Sequence, residues 1–397
     1  MTSRIEVLVC AAGASWELAL VRALQDPALG VHVARRCVDH GELLGTALRD
    51  SPHAVLVDAS LPWVDRDFVT TLRRAGVAVI AIGSAARPLE RVGVSCFPNE
   101  VSADVIAAAL YSLDGGEPPL EAAETVVAGV ADDEATLAIP GRLVVVWGGA
   151  GAPGRTSVAI HLAVEAARSG ISTALIDGDV WSASIAQTME LAESPSLAQA
   201  ARLAGDGWPS PLGECMQAGP DGLDVLVGLA RAELWPEVRE EAWRAVLAAA
   251  VLVYELVVID VAAPIEQDEE LVYDRVPFRR NLVTTVALER ADDVALIVAA
   301  DPIGLRRAVV AHRTLGEIRS TGDRDVRVVL NRAPRPGRRL QDCSHAVSES
   351  MGRVPAAFLP DEPALDRVRW EGRTLQQIVP RSRWLKELRP LLGEVSR

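Results

Sequence analysis

Lysine is almost absent from this chain. Of 397 residues, 40 are Lys or Arg, and Lys386 alone among them is a lysine. The bias reads as GC-rich codon usage, and it lowers the weight of any one arginine standing where a lysine is usual. Cysteine is scarce as well: Cys10, Cys37, Cys96, Cys215 and Cys343 are scattered, with no C-x-x-C pair. They read as buried or incidental thiols of a reducing compartment. Long apolar runs are missing, since the most apolar stretch, 245–259, is broken by Glu255 and is too short to span a bilayer. The opening MTSRIEVLVCAAG lacks the charged, apolar and cleavage regions of a signal peptide. The expectation is a soluble, cytoplasmic protein.

What remains is globular in composition, with 49% apolar and 24% charged residues, and long enough for two domains. The net charge of −14 disfavours a surface that coats DNA. From Asn331 onward 13 Lys and Arg stand against 8 Asp and Glu, so a locally basic end stays open, although DNA binding is not expected of the acidic whole. No Lys or Arg occurs between Arg91 and Arg142. Inside that gap, 114–140 is rich in acids, Pro, Gly and Ala and reads as an exposed, self-repelling linker. It divides the chain into 1–113, the linker 114–140, and 141–397.

The first part alternates strand and helix signals. IEVLVCA, VHVAR, AVLVDAS and VAVIAIG read as strands; 16–25, 41–48, 67–74 and 103–113 read as helices. Such alternation predicts a small doubly wound α/β sheet, flavodoxin-like in type. VLVDASLP puts Asp58 at a strand end with Pro62 four residues on, which resembles the phosphoacceptor strand of receiver domains. The rest departs from that pattern. Val9-Cys10-Ala11 stands where receivers carry a metal-binding acid pair, and the region of Phe97-Pro98-Asn99 has no Lys. A lone Asp cannot readily stabilise an acyl phosphate. The expectation is a degenerate receiver-like domain used for docking or dimerisation, with a phosphorylated switch as the lesser reading.

The second part repeats the alternation on a larger scale, predicting a mostly parallel sheet flanked by helices, with ligands at the strands' C-terminal ends. LVVVWGGAGAPGRTS fits G-x-x-x-x-G-[K]-[ST] as Gly149, Gly154, Arg155 and Thr156, between an apolar strand and a helix without internal Gly or Pro. Backbone N–H groups across Gly149, Ala150, Gly151, Ala152, Pro153, Gly154, Arg155, Thr156 and Ser157 would cradle phosphates. Thr156 would sit on Mg²⁺, and Arg155 would carry the catalytic positive charge. ALIDGD supplies Asp177 and Asp179 for Mg²⁺ or its waters, with Asp179 orienting the attacking water. ELVVIDV ends in Asp260, a Walker-B-like carboxylate. VRVVLNRAP places Asn331 and Arg332 after a strand, where an amide can read an adenine edge, and FLPDEPAL places Pro360 and Asp361 in a loop over the base. Each element alone is weak, because an apolar strand ending in Asp is also a helix cap and a lone Asn is also a turn residue. Their order carries the nucleotide site.

From about residue 141 to 397 the chain resembles the MinD/ParA family of deviant-Walker P-loop ATPases, and within it the CpaE/TadZ-like branch. The resemblance rests on WGGAGAPGRTSVAIHLA, ALIDGDVWSASIAQ, LVGLARAELWPEVR, DEELVYDRVPFRRN, AADPIGLRRAV and LPDEPALDRVRWEGRTL. It looks closest to septum-site-determining and pilus-assembly ATPases. The resemblance implies ATP and Mg²⁺ as ligands, a nucleotide-dependent homodimer, and pilus-assembly or cell-division proteins as partners. It also implies a polar or peripherally membrane-associated position in the cytoplasm. Family members carry two loop lysines, one on the phosphates and one reaching across the dimer; here those positions hold Arg155 and Ala150. Arg keeps a charge with a different geometry, whereas Ala150 keeps none, and Pro153 donates no N–H. ATP binding is expected and fast hydrolysis is not. Arg279 and Arg280 offer local compensation, as an alternative to a solvated loop. At the C-terminus, Trp384, Leu385, Leu388 and Leu391 form an apolar stripe among Arg381, Arg383, Lys386 and Arg389. That stripe suits either a membrane surface or packing on the sheet, and Pro390 favours packing.

Overall fold

The computed structural model describes residues 4–83, 89, 90, 92–113, 140–208, 210–266, 279–318 and 326–393. The expected linker 114–140, but for Pro140, lies outside the described residues, as does most of DEELVYDRVPFRRN. The chain divides into two compact units, each with its own sheet.

The first unit has five parallel strands in the order β2-β1-β3-β4-β5, the flavodoxin-like arrangement. They are β1 (Ile5–Cys10), β2 (Val31–Arg36), β3 (Ala54–Asp58), β4 (Ala78–Ile82) and β5 (Ser95–Phe97). Helices α1 (Glu17–Leu24), α2 (His40–Asp50), α3 (Arg66–Arg74) and α4 (Ala103–Leu113) cover the two faces. AVLVD is buried at every position, as a central parallel strand covered on both sides must be. The edge strand β5, three residues of Ser-Cys-Phe, carries no periodic signal and was not anticipated. At the end of β3, Asp58 is buried and fully engaged. It accepts from Trp16 Nε1 at 2.8 Å, Ser60 N at 2.9 Å and Ser60 Oγ at 2.5 Å.

The second unit has eight strands in the order β13-β12-β11-β6-β10-β7-β9-β8. All neighbours are parallel except β8–β9. The central strands are β6 (Arg142–Trp147), β7 (Thr173–Gly178), β10 (Leu256–Val261), β11 (Asp293–Ala299) and β12 (Val326–Ala333). β13 (Ala357–Pro360) closes one edge, and the short pair β8 (Gln217–Ala218) and β9 (Asp224–Leu226) closes the other. Two expectations change. Asn331 and Arg332 lie within β12 rather than after it, at a register irregularity where Arg332 takes φ +52°. Pro360 ends a paired edge strand rather than lying in a free loop. Proline suits that place because an edge strand's outward N–H has no ladder partner to lose.

Helix α5 (Arg155–Arg168) is buried at every position from Val158 to Ala167, enclosed between the sheet and the C-terminal helices. Its His161 is the pin. Leu375 N–H donates to Nε2 at 3.0 Å, so the ring proton sits on Nδ1, which donates to the Ser157 carbonyl at 2.7 Å. Gln376 donates to the His161 carbonyl at 3.0 Å, and Trp384 lies edge-on to the ring at 5.4 Å. One turn further, Arg389 donates to Glu165 at 2.6 Å. Trp384, Leu385, Leu388 and Leu391 are all buried here. The tail's apolar stripe therefore faces this core, and no helix among the described residues is long and apolar enough to cross a membrane.

Burial pushes His161 down to about 4, and the Arg369 guanidinium adds to the shift. An imidazole depressed below its ordinary 6.5 leaves stability flat at higher pH and removes it as pH falls from about 6.5 towards 4. The loss amounts to at most about 3 kcal/mol, from about 1.4 kcal/mol per pKa unit. Denaturant titrations at pH 7.5, 6 and 5 are expected to show it for the wild type, and the His161→Gln variant to show a flatter profile.

Candidate functional site

The loop leaving β6 is shaped by glycines that the surroundings require. A Cβ on Gly148 would stand 2.5 Å from the Ile297 carbonyl, and one on Gly154 would stand 2.4 Å from Asn331 Nδ2. Gly151 and Gly154 also adopt φ of +76° and +81°, where a side chain is strained. α5 then starts at Arg155 with no side-chain cap and no acid in its first turn. Its leading N–H groups and its dipole are thus free to meet an anion. Pro153, which lacks an N–H, contributes its carbonyl: Asn331 Nδ2 donates to it at 2.9 Å. Asn331 accepts from Arg332 N at 3.0 Å, so the amide expected to read a base is braced against the loop.

Three parallel strands bring the acids to the same edge. β10 pairs β7 with Asp260 opposite Asp177, and β6 flanks β10 on the other side. Thr156 Oγ1 donates to Asp260 Oδ2 at 2.5 Å, while Asp260 Oδ1 is buried without a hydrogen-bond partner. Asp177 Oδ2 accepts from Ser184 N and Ile185 N, each at 3.0 Å, and so caps the short helix α6 (Ile185–Thr188). Burial nonetheless pushes the Asp177 carboxyl up to about 6. Asp260 is raised well above its ordinary 3.8, by burial first and by Asp177 second, with the Thr156 hydroxyl and the Arg155 charge opposing the shift. Asp179 accepts from Trp181 N and Ser182 N at 2.9 Å and from Ser182 Oγ at 3.2 Å, so both its oxygens organise the loop after β7.

A cavity of about 290 Å³ opens at the start of α5. Ala152, Gly154, Arg155, Thr156 and Ser157 line it, as the motif predicts. Asn331, Arg332, Pro360 and Asp361 are outside its lining. In their place stand Ser184 just before α6, Thr188 at its end, and Leu365, Val368 and Arg369 from α12 (Ala364–Glu371). Arg369 Nη2 lies 3.5 Å from Ser157 Oγ. The apolar spacing Leu365–Val368 after PDEP is the sequence signal for that wall. Arg155 Nη1 donates back to the Gly148 carbonyl at 3.3 Å. Arg280 stacks on Trp181, its Cζ 3.4 Å from the ring centroid, and Arg279 is exposed.

The donors gathered here are all oxygens, the set a hard divalent cation prefers. Among the described residues no group of three or more His, Cys, Asp or Glu forms a metal cage. One hydroxyl, carboxylates acting through water, and ligand phosphates would instead complete a Mg²⁺ shell, and the orphaned Asp260 Oδ1 suits such a water. Behind Asp177, Gly228 leaves no room. A Cβ there would stand 2.8 Å from Asp177 Cγ and 2.6 Å from Ala183 Cβ. Gly228→Ala is expected to lower stability by about 1–3 kcal/mol and to loosen the 179–184 loop. A melting curve and hydrogen exchange across those residues check both.

Solved structures with a similar fold include the cell-division ATPase MinD of Pyrococcus furiosus. Its identity is 20% and its TM-score 0.52, over 64% of this chain and 98% of that one. The septum site-determining protein MinD of Pyrococcus horikoshii, complexed with Mg-ADP, matches at 19% and 0.52 over 64% and 96%. A ParA family ATPase from Chlorobium tepidum matches at 18% and 0.52 over 63% and 96%. No family model and no curated relative matches the chain. At such identities the likeness establishes the fold alone: a mostly parallel α/β sheet with flanking helices, as in these MinD and ParA structures.

Proposed function

We propose that this chain binds Mg-ATP on the loop 149–156 and acts as a slow, MinD/ParA-like ATPase. On nucleotide it would close into a homodimer and position a pilus-assembly, secretion or septum apparatus in the cytoplasm. One observation carries the reading. Beside an uncapped helix start, Thr156 is hydrogen-bonded to a buried Asp260 whose other oxygen has no partner, with Asp177 adjacent. Two buried carboxylates beside a glycine loop make a place for a dication and the phosphates it bridges. The chemistry a bound Mg²⁺ would supply is positive charge against the phosphates. Thr156 would hold it directly, while Asp177 and Asp260 act through water. The backbone N–H groups of 154–156 would seat the inner phosphates.

Turnover is proposed to be slow for three reasons. Ala150 brings no charge to the loop. Pro153 withdraws one donor. Asp179, the residue expected to orient water, has both oxygens committed to its own loop. That last observation also favours a second reading, a nucleotide-bound scaffold that does not hydrolyse. In either case the first unit serves as a receiver-like docking module, with Asp58 held by Trp16 and Ser60 rather than free to accept a phosphoryl group. The buried tail stripe gives no support to membrane contact through the C-terminal helix.

Calorimetric titration of the full chain with ATP and with ADP, each with and without Mg²⁺, tests the binding. Thr156→Ala and Asp260→Asn are each expected to weaken Mg²⁺-dependent affinity about tenfold or more, about 1.4 kcal/mol, the scale of a hydrogen bond to a charged group. Absence of any heat from the wild type with either nucleotide would sink the proposal. Phosphate release separates its two forms. Low turnover that rises in Ala150→Lys supports the slow ATPase, and none in either protein supports the scaffold.

A further inference from the structure

The cavity at the start of α5 has two unlike ends. At one stand Ala152, Gly154, Arg155 and Thr156, with the uncapped N–H groups of the helix start. At the other, Ile160 of α5 and Leu365 and Val368 of α12 make an apolar wall. Ser157 and Arg369 mark the join. Ser157 follows Thr156 on the first turn of α5, Arg369 follows Val368 on α12, and both line the cavity.

Arg369 is held there at both arms. Nη1 donates to Asp366 Oδ1 at 2.9 Å, one turn back on its own helix, and Nη2 reaches Ser157 Oγ at 3.5 Å. The helix that carries it is firmly seated. Val368 is 1% exposed in the same core as Ile160, and Gly372, just past the helix end, lies so close to Glu190 that a Cβ would collide with it. The other charged or titratable side chains of the lining are committed elsewhere. Arg155 donates back to the Gly148 carbonyl, and both ring nitrogens of His161 are engaged within the protein. Arg367, also on α12, is outside the lining and pairs with Glu371 at 2.6 Å. The contact from Arg369 to Ser157 is long for a hydrogen bond, so that arm is the part of the guanidinium open to a better acceptor.

A nucleotide has the same order of parts. Its outer phosphates suit the donors at the helix start, its nucleoside suits the apolar wall, and the phosphate joined to the ribose lies between them. We propose that Arg369, reaching across from α12, grips that first phosphate beside Ser157. The proposal rests on the nucleotide-binding reading above and adds a residue and a subsite to it. Binding replaces a long contact between two protein groups with a charge-assisted hydrogen bond to a phosphate oxygen. Di- and triphosphates share the first phosphate, so Arg369 holds both alike.

The test is titration of the full chain with Mg-ATP and with Mg-ADP. In Arg369→Ala both affinities are expected to fall by the same factor, about tenfold, as for one hydrogen bond to a charged group. Arg369→Lys, which keeps the charge without the fork, should recover part of each. Arg367→Ala and Asp366→Ala should leave both within about twofold of wild type, the second because it frees one arm of Arg369 and removes no cation. Unaltered affinities in Arg369→Ala overturn the role of Arg369 and leave nucleotide binding standing. A loss confined to ATP overturns the assignment to the first phosphate. A loss in Asp366→Ala as large as that in Arg369→Ala also overturns it, since bracing of α12 would then be the whole effect. A wild type that binds neither nucleotide overturns both readings together.

Discussion

Two carboxylates stand side by side in the interior, and the second unit is arranged around them. Asp177 and Asp260 face each other across paired strands, exposed by 0% and 1%. Ionised together and unpaired, they would be strongly destabilising. The structure divides the problem. Asp177 is anchored by the backbone N–H groups of 179, 184 and 185, which favour its charged form. Asp260 has one hydroxyl donor and one bare oxygen, so its charged form is less well served than that of Asp177. The strand end is thus an acceptor in waiting, and it lies beside the uncapped start of α5. A cation and an anion entering together satisfy both features, whereas either alone satisfies one.

That arrangement also explains why the C-terminal segment is part of the site. α5 must hold its first turn in register with β10 for Thr156 to reach Asp260. Its outer face is fixed by the last thirty or so residues through His161, Glu165 and the buried Trp384. A neutral imidazole suits this role because one ring nitrogen donates and the other accepts. Protonation would leave Nε2 facing an N–H donor. The tail that sequence pattern left open between membrane and core is therefore structural, and its basic residues flank a buried seam.

Most of the fold was legible in the sequence because parallel strands buried on both faces read as unbroken apolar runs. LVVVW, ALID and LVVID could be little else, and each ends where the chemistry begins. The short edges β5, β8 and β13 were not legible. Two to four residues carry no period, and for β5 and β13 the pairing is decided by neighbours distant in sequence. Thr156, Asp177 and Asp260, which residue type and strand position single out in the sequence, do stand together in the structure. The cavity wall from α12 was missed because Leu365 and Val368 look like any amphipathic turn. An amide at a strand end, such as Asn331, commonly reads a base; here the missing Cβ of Gly154 also lets it close on the Pro153 carbonyl.

The loop's departures from a lysine-bearing pattern have unequal consequences. Arg155 preserves a charge but aims it backwards at Gly148, so it steadies the turn as much as it serves a ligand. Pro153 removes an N–H, yet its fixed φ and its carbonyl's bond to Asn331 stiffen the loop before any phosphate arrives. A cradle rigid in advance loses little entropy on binding. Hydrolysis demands something else: charge that meets the transferring phosphoryl group as it separates. Ala150 takes that charge away from the loop, and Asp179 keeps its oxygens for Trp181 and Ser182. The same sequence changes that pre-form the binding surface thus withdraw the groups that would act in the transition state. On that physical ground the proposed function is the holding of a nucleotide rather than its turnover.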